Sequence, residues 1–156
     1  MLKMLRHSDA LLDCIQKALA PGERYQQRRA LLIAIDGADG VGKSSLASWL
    51  AWQTGMPTVH LDLFLFCSPP IQWRTADLKR AVDCRLDSEL PVIVEGVLVL
   101  DALEQIGRVA NFVAFVKGDN GSRLAPEQLA KYRTRRNLPK TADFIIAGYS
   151  DEIPPV

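Results

Sequence analysis

Residues 30–45 read Ala-Leu-Leu-Ile-Ala-Ile-Asp-Gly-Ala-Asp-Gly-Val-Gly-Lys-Ser-Ser, and this stretch decides how the rest of the chain is understood. Its first part, Ala30 to Ile35, is apolar at every position, as expected of a strand covered on both faces of a sheet. Gly37 to Ser44 then fits the pattern G-x-x-x-x-G-K-[ST], the loop whose backbone N–H groups turn around a polyphosphate. Such a curve requires glycine, and Gly37, Gly40 and Gly42 supply it. Ala38, Asp39 and Val41 contribute the backbone between them, and Ser45 follows in the first turn of a helix that offers unpaired N–H donors to the same phosphates. Lys43 adds a full charge toward the β and γ oxygens, and the Ser44 hydroxyl is placed to ligate magnesium.

Working outward, strands alternate with helices. A helix from about Ala10 to Ala20 is expected, with Ser8-Asp9 as its cap and Leu11, Leu12, Ile15 and Leu19 on one face. The helix opened by Lys43 runs to about Gln53, with Leu46, Trp49 and Leu50 inward and Trp52 also read as a packing residue. Further strands are expected at Thr58–Phe64, Pro91–Glu95, Asn111–Val116 and Asp143–Ala147. Helices are expected from Thr75 to Leu86, Asp101 to Ile106 and Pro126 to Arg136, the last leaving at Asn137 and Pro139. This alternation implies right-handed crossovers and a parallel sheet between two helical layers, an α/β three-layer sandwich.

The 156 residues suit one domain, 1–156, with an N-terminal helix and connector over 1–29 and a lid region over 121–140. A formal net charge of +1 does not indicate a globally basic nucleic-acid binder, and no nucleic-acid partner is expected. Cys14, Cys67 and Cys84 are odd in number and lack C-x-x-C spacing, which points to reduced thiols and a cytoplasmic location. Lys3, Arg6 and the Ala18-Leu19-Ala20 end suggest a signal peptide, but Asp13, Gln16 and Lys17 interrupt the apolar stretch. No run approaches the ~18 apolar residues of a membrane span, so no membrane partner is expected.

Ligands of an open parallel sheet sit beyond the carboxyl ends of its strands. Asp62 and Glu95 fall at two such ends. Glu95 is assigned to magnesium and Asp62 to the hydroxyl that attacks a γ-phosphate. Asp36 and Asp39 read as loop residues, and His60 as a strand residue that packs or bonds to a backbone group. The segment Lys131-Tyr-Arg-Thr-Arg-Arg136 carries arginines able to stabilise a transferring phosphoryl group if the helix acts as a lid. Arg133 is the leading candidate, with Arg135 and Arg136 left open. The other readings of this segment are a solvated helix face and, disfavoured because aromatic interleaving is limited to Tyr132, a nucleic-acid patch.

In this order, IAIDGADGVGKSSLA, VHLDLF, VIVEGVLVL and the arginine-bearing helix followed by ADFII resemble the uridine kinase-like group of P-loop kinases, over Leu31 to Ile146. The resemblance implies a P-loop NTPase sheet in the order 2-3-1-4-5 and ATP- and magnesium-dependent phosphorylation of a small molecule's hydroxyl. It implies that Asp62 approaches the acceptor, that Glu95 sits by the metal and that the lid arginine lies near Arg133. The chain departs from uridine kinases in having only 32 residues between Asp62 and Glu95, where an aromatic-rich nucleoside-binding insertion usually lies. Phe64, Phe66, Trp73 and Arg74 could line a smaller acceptor pocket, and Phe64 and Phe66 could equally be core. A nucleoside monophosphate kinase is the alternative enzyme, disfavoured because Glu95-Gly96-Val97 stands where a D-R-[YFH] is characteristic. A GTPase lacks support without an N-K-x-D motif. The alternative from another class is a non-catalytic module gated by ATP. Acceptor identity and oligomeric state are not encoded in any motif.

Overall fold

A computed structural model describes residues 7–19, 29–66, 69–118 and 125–148. Lys3, Arg6, Cys67, most of the connector and 121–124 of the expected lid lie outside the described residues. The five strands are β1 (Leu32–Gly37), β2 (Thr58–His60), β3 (Val92–Glu95), β4 (Phe112–Lys117) and β5 (Phe144–Ala147). All pair in parallel in the order β2-β3-β1-β4-β5. The helices are α1 (Ser8–Ala18), α2 (Lys43–Thr54), α3 (Thr75–Leu86), α4 (Val99–Gln105), α5 (Pro126–Arg136) and α6 (Leu138–Thr141).

The period of two along a strand divides β1 between two cores. Ile33 and Ile35 join Ile93, Ala114 and Val116 under α1 and α2, where Leu11, Ile15, Leu46 and Leu50 are fully buried. Leu32 and Ala34 join Val92 and Val94 on the other face, under Leu78 and Val82 of α3, Val99, Ala102 and Leu103 of α4, and Leu129 and Tyr132 of α5. Each fully buried aliphatic side chain contributes about 1.5–3 kcal/mol. Both faces are therefore covered, which explains the unbroken apolar run that announces β1.

Several expectations shift. Ser8 and Asp9 lie in the first turn of α1, whose N-cap is His7, and α4 begins at Val99 instead of Asp101. The second strand stops at His60 instead of Phe64, and Leu61–Phe64 forms a 3-10 turn. β2 is an edge strand whose last register partner is Glu95, the final residue of β3, so the chain has nothing to pair with beyond His60. Asn137 does not release the chain into a loop. With φ 49° it ends α5, and α6 follows as one further turn. Trp49 packs partly against the first core, whereas Trp52 is 79% exposed. No helix among the described residues is long and apolar enough to cross a membrane. Cys14 and Cys84 are free thiols.

Candidate active site

The phosphate loop leaves the carboxyl end of β1 with Gly40 and Gly42 at φ 72° and 103°, and α2 starts at Lys43. Side chains in these left-handed conformations are strained, so glycine is required at both. The loop opens on a cavity of about 280 Å³, lined by Asp39, Gly40, Gly42, Lys43, Ser44, Ser45, Asp62, Glu95, Gly96 and Val97. That volume lies below the roughly 300–1,000 Å³ of sites enclosing a whole drug-sized ligand, and suits the phosphate end of a nucleotide.

Lys43 is buried, and its ammonium donates to the Ala38 carbonyl at 2.6 Å across the loop. Burial lowers its pKa, opposed by the charges of Glu95, Asp36, Asp39 and Asp62. The lysine is thus a desolvated cation held among carboxylates, able to exchange its carbonyl partner for phosphate oxygen.

Strand alternation places Glu95 on the same face as Ile93, toward α2. There its carboxylate meets the first turn of α2, and Oε1 accepts the Ser44 hydroxyl at 3.0 Å. The same oxygen lies 2.6 Å from Nδ1 of His60, its cross-strand partner. Gly96 lets this end of β3 close over the 3-10 turn, because a Cβ there would stand 2.6 Å from Cβ of Leu61. Leu61, buried in the second core, anchors the turn that carries Asp62 to the cavity.

Among the described residues no group of three His, Cys, Asp or Glu side chains could hold a metal by itself. Ser44 and Glu95 provide two oxygens on one wall. This sparse, hard donor set fits magnesium, which retains several waters and binds through one or two protein oxygens together with phosphate.

Asp36 is a component that sequence reasoning missed. It lies within β1, not in a loop, and alternation points it to the same face as Leu32 and Ala34. Its Oδ1 accepts Gly37 N–H at 2.6 Å and its Oδ2 accepts the Tyr132 hydroxyl. The Tyr132 oxygen in turn accepts Leu100 N–H at 3.3 Å. Burial raises the Asp36 pKa to about 7, outweighing the lowering by Tyr132, Gly37 and Lys43. Burial and then the Asp36 charge push the Tyr132 phenol upward. A usable signal existed: Tyr132 stands three residues from Leu129 in an otherwise polar helix, marking its inward face.

Helix α5 is fastened elsewhere as well. Arg135 and Arg136 both bind Asp101, Arg136 at 2.6 Å, and Arg136 also binds Glu104. The Gln128 amide accepts Ile71 N–H at 3.0 Å and donates to the Ile71 carbonyl at 3.1 Å. Arg133 is exposed and is not among the residues lining the cavity. Of the proposed acceptor-pocket residues, Trp73 is buried, Phe64 packs partly on the second core and Phe66 is half exposed. Arg74 donates to the Leu63 carbonyl at 2.5 Å. None of these four lines the cavity.

No family model matches the chain, and no curated protein matches it. Solved structures do. One, from Bacillus stearothermophilus and provisionally named a uridine kinase, superposes with TM-score 0.60 at 15% identity, covering 88% of this chain and 97% of that one. Another, from Silicibacter sp. TM1040 and provisionally named a fructose transport system kinase, gives TM-score 0.51 at 16% identity, covering 85% and 82%. At such identities the likeness is one of fold. The chain shares the α/β fold of these two structures, with the strand order 2-3-1-4-5 that the sequence resemblance implies.

Proposed function

We infer that this protein is a kinase that transfers the γ-phosphate of ATP, with magnesium, to a hydroxyl group of a small metabolite. The observation that carries the reading is the meeting of Asp62 with Lys43, Ser44 and Glu95 around one cavity at the mouth of the phosphate loop. Ser44 and Glu95 would hold the magnesium, which would supply positive charge against the negative charge that develops on transfer. The chain's own groups have separate tasks. Gly37 to Ser45 form the loop around the phosphates and offer them backbone N–H groups, except at Gly37, whose N–H is held by Asp36. Lys43 supplies positive charge, and Ser44 and Glu95 hold the metal side. Asp62 orients the acceptor hydroxyl toward the phosphorus. A loose transition state asks for little early proton removal, so orientation is the main service of this carboxylate.

Arg133 is proposed as the lid arginine. It follows Tyr132, whose bond to Asp36 fixes α5 beside the start of the phosphate loop. Its contribution requires the substrate-bound state to bring α5 and the phosphates together.

The deciding experiment is ADP release measured against a panel of metabolite alcohols, with phosphorylated products identified by mass spectrometry. Acceptor-dependent release with a matching product supports the kinase. ATP binding without transfer to any acceptor supports a nucleotide-gated module instead, and transfer only to nucleoside monophosphates supports the other enzyme class.

A further inference from the structure

His60 sits where β2 ends, directly across the register from Glu95, and is one-third exposed while Glu95 is 2% exposed. The separation of its Nδ1 from Glu95 Oε1 is 2.6 Å. An ionised carboxylate can only accept, so the proton in this bond belongs to Nδ1. The Ser44 hydroxyl reaches the same oxygen, at 3.0 Å. Two donors from two different elements therefore converge on Oε1, while Oε2 takes no hydrogen bond among the described residues. This arrangement fixes the plane of the carboxylate. One oxygen is held by protein, and the other is left as the acceptor that the group can offer to water or metal.

We propose that His60 is a positioning residue that holds Glu95 in the orientation needed on the metal side of the phosphate site. The inference rests on the metal role given to Glu95 in the proposed function and extends it to a residue that the sequence offers only as packing or as a partner of a backbone group. Without the imidazole, Glu95 would keep one donor, Ser44, whose hydroxyl must also serve the metal. The carboxylate could then rotate about its terminal torsion, which is broad and weakly restrained by itself. Hydrogen-bond partners that orient metal-binding groups typically change metal affinity by about 10–100-fold when removed.

The test needs no acceptor. ATP dissociation constants are measured by isothermal titration with excess magnesium and again with EDTA, and their ratio reports the enhancement due to the metal. His60→Leu should lower that enhancement by about tenfold or more. His60→Asn, whose amide N–H can occupy the place of Nδ1–H, should retain most of it. Affinity in EDTA and the thermal midpoint of the free protein should move little, which separates positioning from general structural damage. If Glu95→Gln loses the enhancement while His60→Leu keeps it, the role of His60 is overturned and the reading of Glu95 stands. If Glu95→Gln keeps the full enhancement, the metal role of Glu95 fails, and the inference about His60 fails with it.

Discussion

Replacing Asp36 with asparagine should stabilise the protein, by an amount that depends on pH. In the folded state burial lifts this carboxyl from its ordinary value of 3.8 to about 7. Between those values the folded protein retains a proton that the unfolded chain has released. Stability contributed by this group is therefore greatest at the acid end, falls as pH rises from 3.8 to about 7, and is level above that. At 1.36 kcal/mol per pH unit the interval is worth about 4 kcal/mol. Asparagine has no proton to lose. Its amide oxygen can keep the Gly37 N–H, and its amide nitrogen faces the Tyr132 oxygen as a donor. The two proteins should thus be of similar stability near pH 4, with Asp36→Asn ahead by a few kcal/mol at about pH 8. Urea unfolding without nucleotide, followed by tryptophan fluorescence at several pH values, reads this difference directly. Parallel stability curves for the two proteins across that range would refute the argument that the carboxyl is held protonated by burial.

Three other outcomes follow from the cavity. Lys43→Ala removes a charged donor to phosphate and should weaken ATP binding by about 1.5–3 kcal/mol, read by isothermal titration; unchanged affinity and rate would contradict its role. Asp62→Asn should lower turnover of the identified acceptor by about 10²–10⁴-fold with ATP affinity nearly constant, and an unchanged rate would remove this carboxylate from the mechanism. Gly96→Ala brings a Cβ to 2.6 Å from Cβ of Leu61. It should cost about 1–3 kcal/mol in urea unfolding, and parental stability would show that the strand end and the turn can separate without loss.

The phosphate loop and β1 were legible because their requirements are local: apolar residues for a strand covered twice, glycines for positive φ, and a lysine at a helix start. Sheet order came from the resemblance, since spacing alone does not say which edge a strand joins. The length of β2 was misjudged because Val59, Leu61 and Leu63 continue the alternation past the point where β3 has ended. Only the pairing partner reveals that the chain must turn. Asp36 looked like part of a loop since it adjoins Gly37, although the period of two along Leu32 and Ala34 already assigns it a buried face. Contacts across long separations, such as Tyr132 with Asp36 or Arg136 with Asp101, leave no trace in spacing. They depend on which helices the sheet brings together.

The amide of Gln128 serves the backbone of Ile71 as a neighbouring strand would, giving and taking one bond each. Glutamate in its place would have the right shape and the wrong polarity at one of the two atoms, because an ionised carboxylate has nothing to give. The segment after Asp62 is consequently spliced to the arginine-bearing helix by a side chain rather than by a peptide. Any rearrangement that admits an acceptor from that direction must either travel with α5 as one piece or first unzip those two bonds.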